Sequence, residues 1–309
     1  MNFELNEEQQ MLADTVERLV RNTYGFEQRE AFYQSPQGYS PEFWRQLSEL
    51  GITSVPIATD YEGFGGTGVE NMLVMKELGR GLCLEPYLHS QIYAAGLIQQ
   101  LGSVEQRQNI LPSVASGEQL LAVADEEAGT HCHSEASECT AVPCERGWRL
   151  SGHKRVVIGG EIAHTILVTA RMSDGNGVSL FLLDPAAEGV SRTGYPCIDG
   201  PRACDLELSD VYVEADALIG PAGKAGPALA YQRGRALAAA KFVVARASEL
   251  IAEQSIQLHG GIGMTWEYSL AHHAKRLVML THQFGDDDFH LGQYSALLEL
   301  PRQSSRQVA

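Results

Sequence analysis

The chain has 309 residues, 44% of them hydrophobic, enough to bury a sizeable core and to divide into two or three domains. Its 23 basic residues against 39 acidic ones give a net charge of -16, which argues against sequence-independent nucleic-acid binding, since that needs a dense positive surface. Met1 to Glu8 carry neither the positive end nor the apolar stretch of a signal peptide, and no run of about 18 apolar residues could span a bilayer, so a soluble cytoplasmic protein with no membrane partner is expected.

The first third reads as helices. Leu12, Val16, Leu19 and Val20 recur at the spacing of one helical face, with Glu7, Glu8, Glu17 and Arg18 on the other. Ser40-Pro41 is a helix start and Gly51 a stop after Phe43, Leu47 and Leu50. Gly63 to Gly68 matches G-x-G-x-x-G, but Thr59 to Glu62 before it is no buried strand, so a flexible loop ahead of a helix at Val69 to Leu78 is expected rather than a dinucleotide fold. Pro86 separates that helix from the next, Tyr87 to Leu101. Ser103 to Gln106 is a capping box opening a short helix that should stop before Pro112.

After Gly117 the texture changes. Short β-rich runs at Leu120 to Ala124, Arg155 to Ile158, Thr165 to Thr169, Val178 to Leu183 and Asp205 to Val213 alternate with turns such as Asp174 to Gly177, which predicts an antiparallel β domain. His131, Cys132, His133, Cys139 and Cys144 fit no zinc spacing, so no metal is expected. With no Cys-x-x-Cys pair, the six cysteines (these three with Cys83, Cys197 and Cys204) should be reduced thiols.

From Ala228 to His259 the pattern is helical with only Gly234 as an interior breaker, a length that implies a bundle. It ends at Gln257-Leu258-His259-Gly260-Gly261-Ile262-Gly263, where three glycines in four positions allow left-handed backbone and a close approach to a ligand. A last helix is expected at Ser269 to Leu280 and a disordered tail from Pro301. The fold class is therefore α+β multidomain: a helical domain at 1–118, a central β domain at 119–222, and a shortened C-terminal helical domain, an incomplete four-helix bundle, at 223–309.

This layout, with Pro56 to Gly68, Leu78 to Gly81, Leu111 to Glu118, Ala124 to Thr130, Gly152-x-Lys154, Val156 to Gly160 and the Gln-x-x-Gly-Gly-x-Gly ending, resembles the acyl-CoA dehydrogenase family over nearly the whole chain. The resemblance implies FAD as cofactor, an acyl-CoA as substrate, and α,β-dehydrogenation in which a carboxylate takes the α proton. It implies that Gln257, Gly260 and Gly261 contact the adenosine end of an FAD held by a neighbouring subunit. Asp125, Gly129, Thr130 and Val157 would lie near the flavin and its pyrophosphate, and Arg235 near the acyl-CoA. The partners it implies are a hetero- or homo-oligomer with an acyl-CoA dehydrogenase subunit, and an electron-transfer acceptor.

The departures from the family are equally specific. Ile158 stands where the family has a flavin-bonding threonine, and it can neither donate nor accept a hydrogen bond. Val156 stands where an aromatic covers the ring. Thr281 to Asp286 replaces one location of the catalytic base, and the helix bearing the other is missing between Ala240 and Lys241, so the catalytic residue is unknown. Glu267 and Asp286 to Asp288 are read as helix-terminal and solvated acids. The resemblance reaches furthest toward bacterial α2β2 dehydrogenases of bulky acyl-CoAs, including steroid side chains. Three readings stand: a heteromeric subunit that supports FAD without supplying the base, a homo-oligomeric dehydrogenase with an unrecognised base, and an inactive scaffold.

Overall fold

Capping residues set the helices of the first third. In the computed structural model, which describes residues 5–128, 137–173, 175, 177–231 and 251–282, the Asn6 side chain accepts from the Gln9 N–H and opens α1 (Glu7–Thr23), whose Val16 and Val20 are buried. After α2 (Phe26–Tyr33), Ser40 caps α3 (Pro41–Glu49), and Phe43, Trp44 and Leu47 enter the core. The Gly63 to Gly68 segment is a loop rather than a nucleotide fold. It is tied down, with the Gly65 N–H donating to the Ile57 carbonyl at 2.7 Å and the Gly66 N–H to the Val55 carbonyl at 2.8 Å. Thr67 and Glu70 close a capping box on α4 (Gly68–Arg80), and the Gln9 amide donates to Glu70 at 2.7 Å, joining α1 to α4.

A π-helical stretch, Leu88–Ala94, runs directly into α5 (Ala95–Leu101). The next helix, α6 (Val104–Ala115), opens at its Ser103 capping box but does not stop before Pro112 as the sequence predicts. Pro112 forfeits one backbone hydrogen bond near the helix end, and burial of Ile110, Leu111, Val114 and Ala115 outweighs that loss.

The β region is a single sheet in the order β6-β7-β3-β2-β4-β5-β8. Its strands are β1 (Leu121–Ala124), β2 (Thr140–Cys144), β3 (Gly147–Ile158), β4 (Thr165–Met172), β5 (Val178–Leu183), β6 (Val190–Pro196), β7 (Arg202–Glu214) and β8 (Leu218–Ile219). Most pairings are antiparallel. Two are parallel: β1 lines the first half of β4, Leu121 opposite Thr165, and β2 reaches its end, Thr140 opposite Arg171. Strands β2, β6 and β8 lie outside the expected runs, because Pro143, Pro196 and the exposed polar face of β6 hide the strand pattern.

Burial explains the apolar runs that do read as strands. Leu121, Val123, Leu167 and Leu180 pack in one core with residues of α5 and α6, while Ala122, Ala124, Ile166, Val168 and Phe181 form another on the opposite face. Helices and sheet fall together in one compact unit, residues 1–229; residues 230–309 form a second. In the latter, residues 251–259 are helical (α8), a single 3-10 turn follows at Gly260–Met264, and α9 spans Ser269–His282. The expected helix from 228 to 259 meets α7 (Ala225–Tyr231) and α8; residues 232–250 and the tail lie outside the described residues. No helix among the described residues is long and apolar enough to cross a membrane.

One buried acid sits within the helical core. The Glu85 carboxylate accepts from the Ser40 N–H at 3.1 Å and the Tyr24 hydroxyl at 3.3 Å, while its other oxygen is buried without a hydrogen-bond partner. Burial pushes this carboxyl up to about 7. A pKa raised on folding contributes stability that is fully present below the unfolded value and is lost as pH rises through 7. Glu85→Gln removes the charge and keeps the shape, so the variant is expected to exceed the parent by up to about 3 kcal/mol well above pH 7 and to match it at about pH 4. Denaturant melts at the two pH values check this; equal gains at both would contradict it.

Candidate functional site

The site is built around a lysine in an apolar position. Along β3 the residues Leu150, Gly152 and Lys154 alternate inward, and both Leu150 and Lys154 are fully buried. Gly152 is needed where it stands: a Cβ there would lie 2.6 Å from the Cα of Cys139. The Lys154 ammonium pairs with the Glu127 carboxylate and donates to the Thr169 hydroxyl at 2.7 Å. Glu127 also accepts from the Ser137 hydroxyl at 2.6 Å and the Glu138 N–H at 2.5 Å. Burial alone would raise the Glu127 carboxyl; the Lys154 charge and these donors more than offset that and hold it below the usual carboxylate range.

Past Lys154 the register against β7 jumps from Lys154 opposite Leu206 to Val157 opposite Cys204, leaving Arg155 and Val156 as a bulge. The Arg155 N–H donates to the Glu126 carbonyl at 2.9 Å and its guanidinium pairs with Asp205. Val156 takes a left-handed φ of 50° and leaves its side chain 49% exposed. Val157 then turns back into the core and Ile158 stays partly exposed. Through these contacts the chain just after β1 lies against the β3 bulge.

Asp125 stands at that point, one residue past β1. Its carboxylate accepts from the Tyr93 hydroxyl at 2.5 Å. Tyr93 belongs to the π-helical stretch, from which the Ser90 hydroxyl also accepts from the Leu121 N–H at 3.0 Å. The stretch thus runs along β1 from its first residue to just beyond its last.

In the second unit Gln257, Gly260 and Gly261 are exposed. Gly260 has a φ of 64°, and a Cβ on either glycine would meet nothing within 4 Å. Leu258, Ile262 and Met264 are exposed beside the turn, and the Lys275 ammonium lies 3.3 Å from the centre of the Trp266 ring. Gly129, Thr130 and Arg235, like His131 to His133, lie outside the described residues. Among the described residues no group of three or more His, Cys, Asp or Glu could hold a metal ion, and Cys83, Cys139, Cys144, Cys197 and Cys204 are free thiols.

For a flavin, the β1–β3 surface offers an apolar wall, Val156 and Ile158, and a carboxylate already engaged by Tyr93. Such a wall suits the face of a planar ring but gives it no side-chain grip. The bare Gly260-Gly261 turn suits backbone approach to a ligand. The described residues therefore fit contact with FAD. Sequence reading missed Tyr93 and the role of Glu127; the signal for the latter is a lysine at an inward strand position, which requires a partner.

Three family models match the chain in succession: the acyl-CoA dehydrogenase N-terminal domain over residues 6–118, the middle domain over 121–211 and the C-terminal domain over 207–297. The chain is 30% identical over 221 residues to acyl-CoA dehydrogenase FadE27 of Mycobacterium tuberculosis, covering 71% of this chain and 57% of that protein. It spans about three-fifths of the length of the curated relatives it matches. Its fold is similar to the ChsE4-ChsE5 complex of Mycobacterium tuberculosis (TM-score 0.87, 23% identity, 97% of this chain and 100% of that one). It is also similar to the Tcur3481-Tcur3483 steroid ACAD variant (TM-score 0.79, 25% identity, 94% and 98%).

The buried pair makes a stability prediction. Glu127→Gln leaves the Lys154 charge uncompensated in the core and is expected to cost about 3–5 kcal/mol. The double change Glu127→Leu with Lys154→Met removes both charges and should recover most of that loss. Thermal unfolding of the three proteins checks it; a double variant no more stable than Glu127→Gln would contradict it.

Proposed function

This chain belongs to the acyl-CoA dehydrogenase family, and we propose that it is the supporting subunit of a two-chain flavoprotein dehydrogenase. It contributes to FAD binding and assembly while another chain supplies the catalytic base. The observation that carries this reading is the surface where β1 and β3 end: Val156 and Ile158 wall it, the Asp125 carboxylate there is held by Tyr93, and the Asp205 carboxylate is taken by Arg155. Bound FAD supplies the hydride acceptor for α,β-dehydrogenation of an acyl thioester. Removing the weakly acidic α proton needs a carboxylate poised against it, and the segment aligned with a family base reads Thr281-His282-Gln283.

In this reading the chain's own residues orient and shield. Val156 and Ile158 exclude water from one side of the ring; Asp125, Gly129, Thr130 and the backbone of Val157 lie near the flavin and its pyrophosphate; Gln257, Gly260 and Gly261 meet the adenosine end of an FAD held by the neighbouring subunit. Arg235 serves the acyl-CoA. The domains divide at 118 and 222, and the setting is the cytoplasm. A steroid-bearing or similarly bulky acyl group is supported by the similarity to the Tcur3481-Tcur3483 steroid ACAD, whose name joins two chains. Reoxidation falls to a separate electron-transfer acceptor.

Expressing the chain with and without the product of the adjacent gene tests this reading. A yellow complex only with the second chain, bleached by an acyl-CoA under anaerobic conditions, is the expected result. Bleaching by this chain alone would replace it with a self-sufficient dehydrogenase. Flavin in neither preparation would leave the scaffold reading.

A further inference from the structure

The π-helical stretch Leu88–Ala94 belongs to a rare backbone form found mostly as single turns at functional sites. Here it makes two contacts with β1 of different character. Ser90 bonds a backbone N–H at the strand's start, a packing contact within the core, since Ser90 is fully buried. Tyr93 instead reaches a carboxylate, Asp125, at the end of the strand that faces the β3 bulge. The Tyr93 ring packs partly buried against the core, whereas its hydroxyl contact with a carboxylate adds little to that packing. It does matter for a ligand at that surface.

We infer that Tyr93 is a positioning residue for the flavin: its hydroxyl donates to Asp125, fixing the carboxylate's direction and spreading its charge beside the ring. The inference rests on the reading of this surface as the flavin's wall. The physical reason is electrostatic. FAD carries a negatively charged pyrophosphate, and its ring gains electrons on reduction, so a carboxylate beside it is repulsive. A donated hydrogen bond draws density from that carboxylate and holds it in one orientation. Tyr93 thereby makes an acid tolerable beside the Val156 and Ile158 wall, as Arg155 does for Asp205.

The test uses the flavin-loaded protein, alone or with its partner chain, with FAD as the probe. Tyr93→Phe is expected to weaken FAD retention by roughly ten- to a hundredfold, the effect of losing a hydrogen bond to a charged group, and to shift the flavin absorbance band. Adding Asp125→Asn to that variant removes the charge and should restore retention to near the parent level. Ser90→Ala, which breaks the other contact to β1, should lower the melting temperature and leave FAD retention unchanged. Should Tyr93→Phe fail to fold, Asp125→Asn alone decides: with the charge gone it should hold FAD at least as tightly as the parent, and weaker binding would overturn the inference. Unchanged retention in Tyr93→Phe would overturn it, as would a double variant no better than the single one, which is what a purely structural strut predicts. A parent protein with no FAD in any preparation defeats the proposed function itself, an outcome separate from any variant's behaviour.

Discussion

A lysine with no exposed surface constrains everything around it. The Lys154 ammonium cannot stay buried without a negative partner, and Glu127 is the group that meets it. Because Glu127 follows β1, Lys154 lies in β3, Thr169 lies in β4 and Ser137 and Glu138 precede β2, satisfying one charge gathers four parts of the sheet region. The ladder slips at the next two residues, and the resulting bulge turns Val156 outward. The candidate surface thus begins one residue past the buried charge. Its apolar character comes from Val156 and Ile158.

The same economy separates the two tasks that a flavin dehydrogenase must perform. Holding a ring needs flat apolar contact and backbone, and Val156 and Ile158 of β3 are apolar side chains of that kind. Abstracting a proton needs a carboxylate free to change its protonation state, and the Asp125 carboxylate at this surface is already bonded to Tyr93. The proposed division of these tasks between two chains draws on both observations rather than on any single motif.

Much of the helical region was legible in the sequence, because capping is local: Asn6, Ser40, Thr67 and Ser103 each act on a partner within three residues. Pro112 misled for the same reason, since a local rule cannot weigh the burial of Leu111 and Val114. In the sheet, the strands buried on both faces announce themselves as apolar runs, whereas β6, with Arg192, Thr193 and Gly194 exposed, does not. At the candidate site the sequence located Asp125 and the β3 end through family wording. The π-helical turn has no local signature, and Tyr93 is 32 positions from the carboxylate it holds, so that contact appears only in the fold.

The pale, polar strand that hid from sequence reading has a use of its own. A sheet whose outer rows of N–H and C=O groups lie open is a template for pairing with other chains and for aggregation. Here one end closes with β6, which carries Pro196 and curls Arg192 back onto the Gly160 carbonyl at 3.0 Å; the other closes with β8, only two residues long. Among the described residues, the β6 margin ends at a proline that cannot donate and the β8 margin is two residues long. Growth of the sheet into fibres is discouraged at both sides, leaving association to the surfaces where side chains choose the partner.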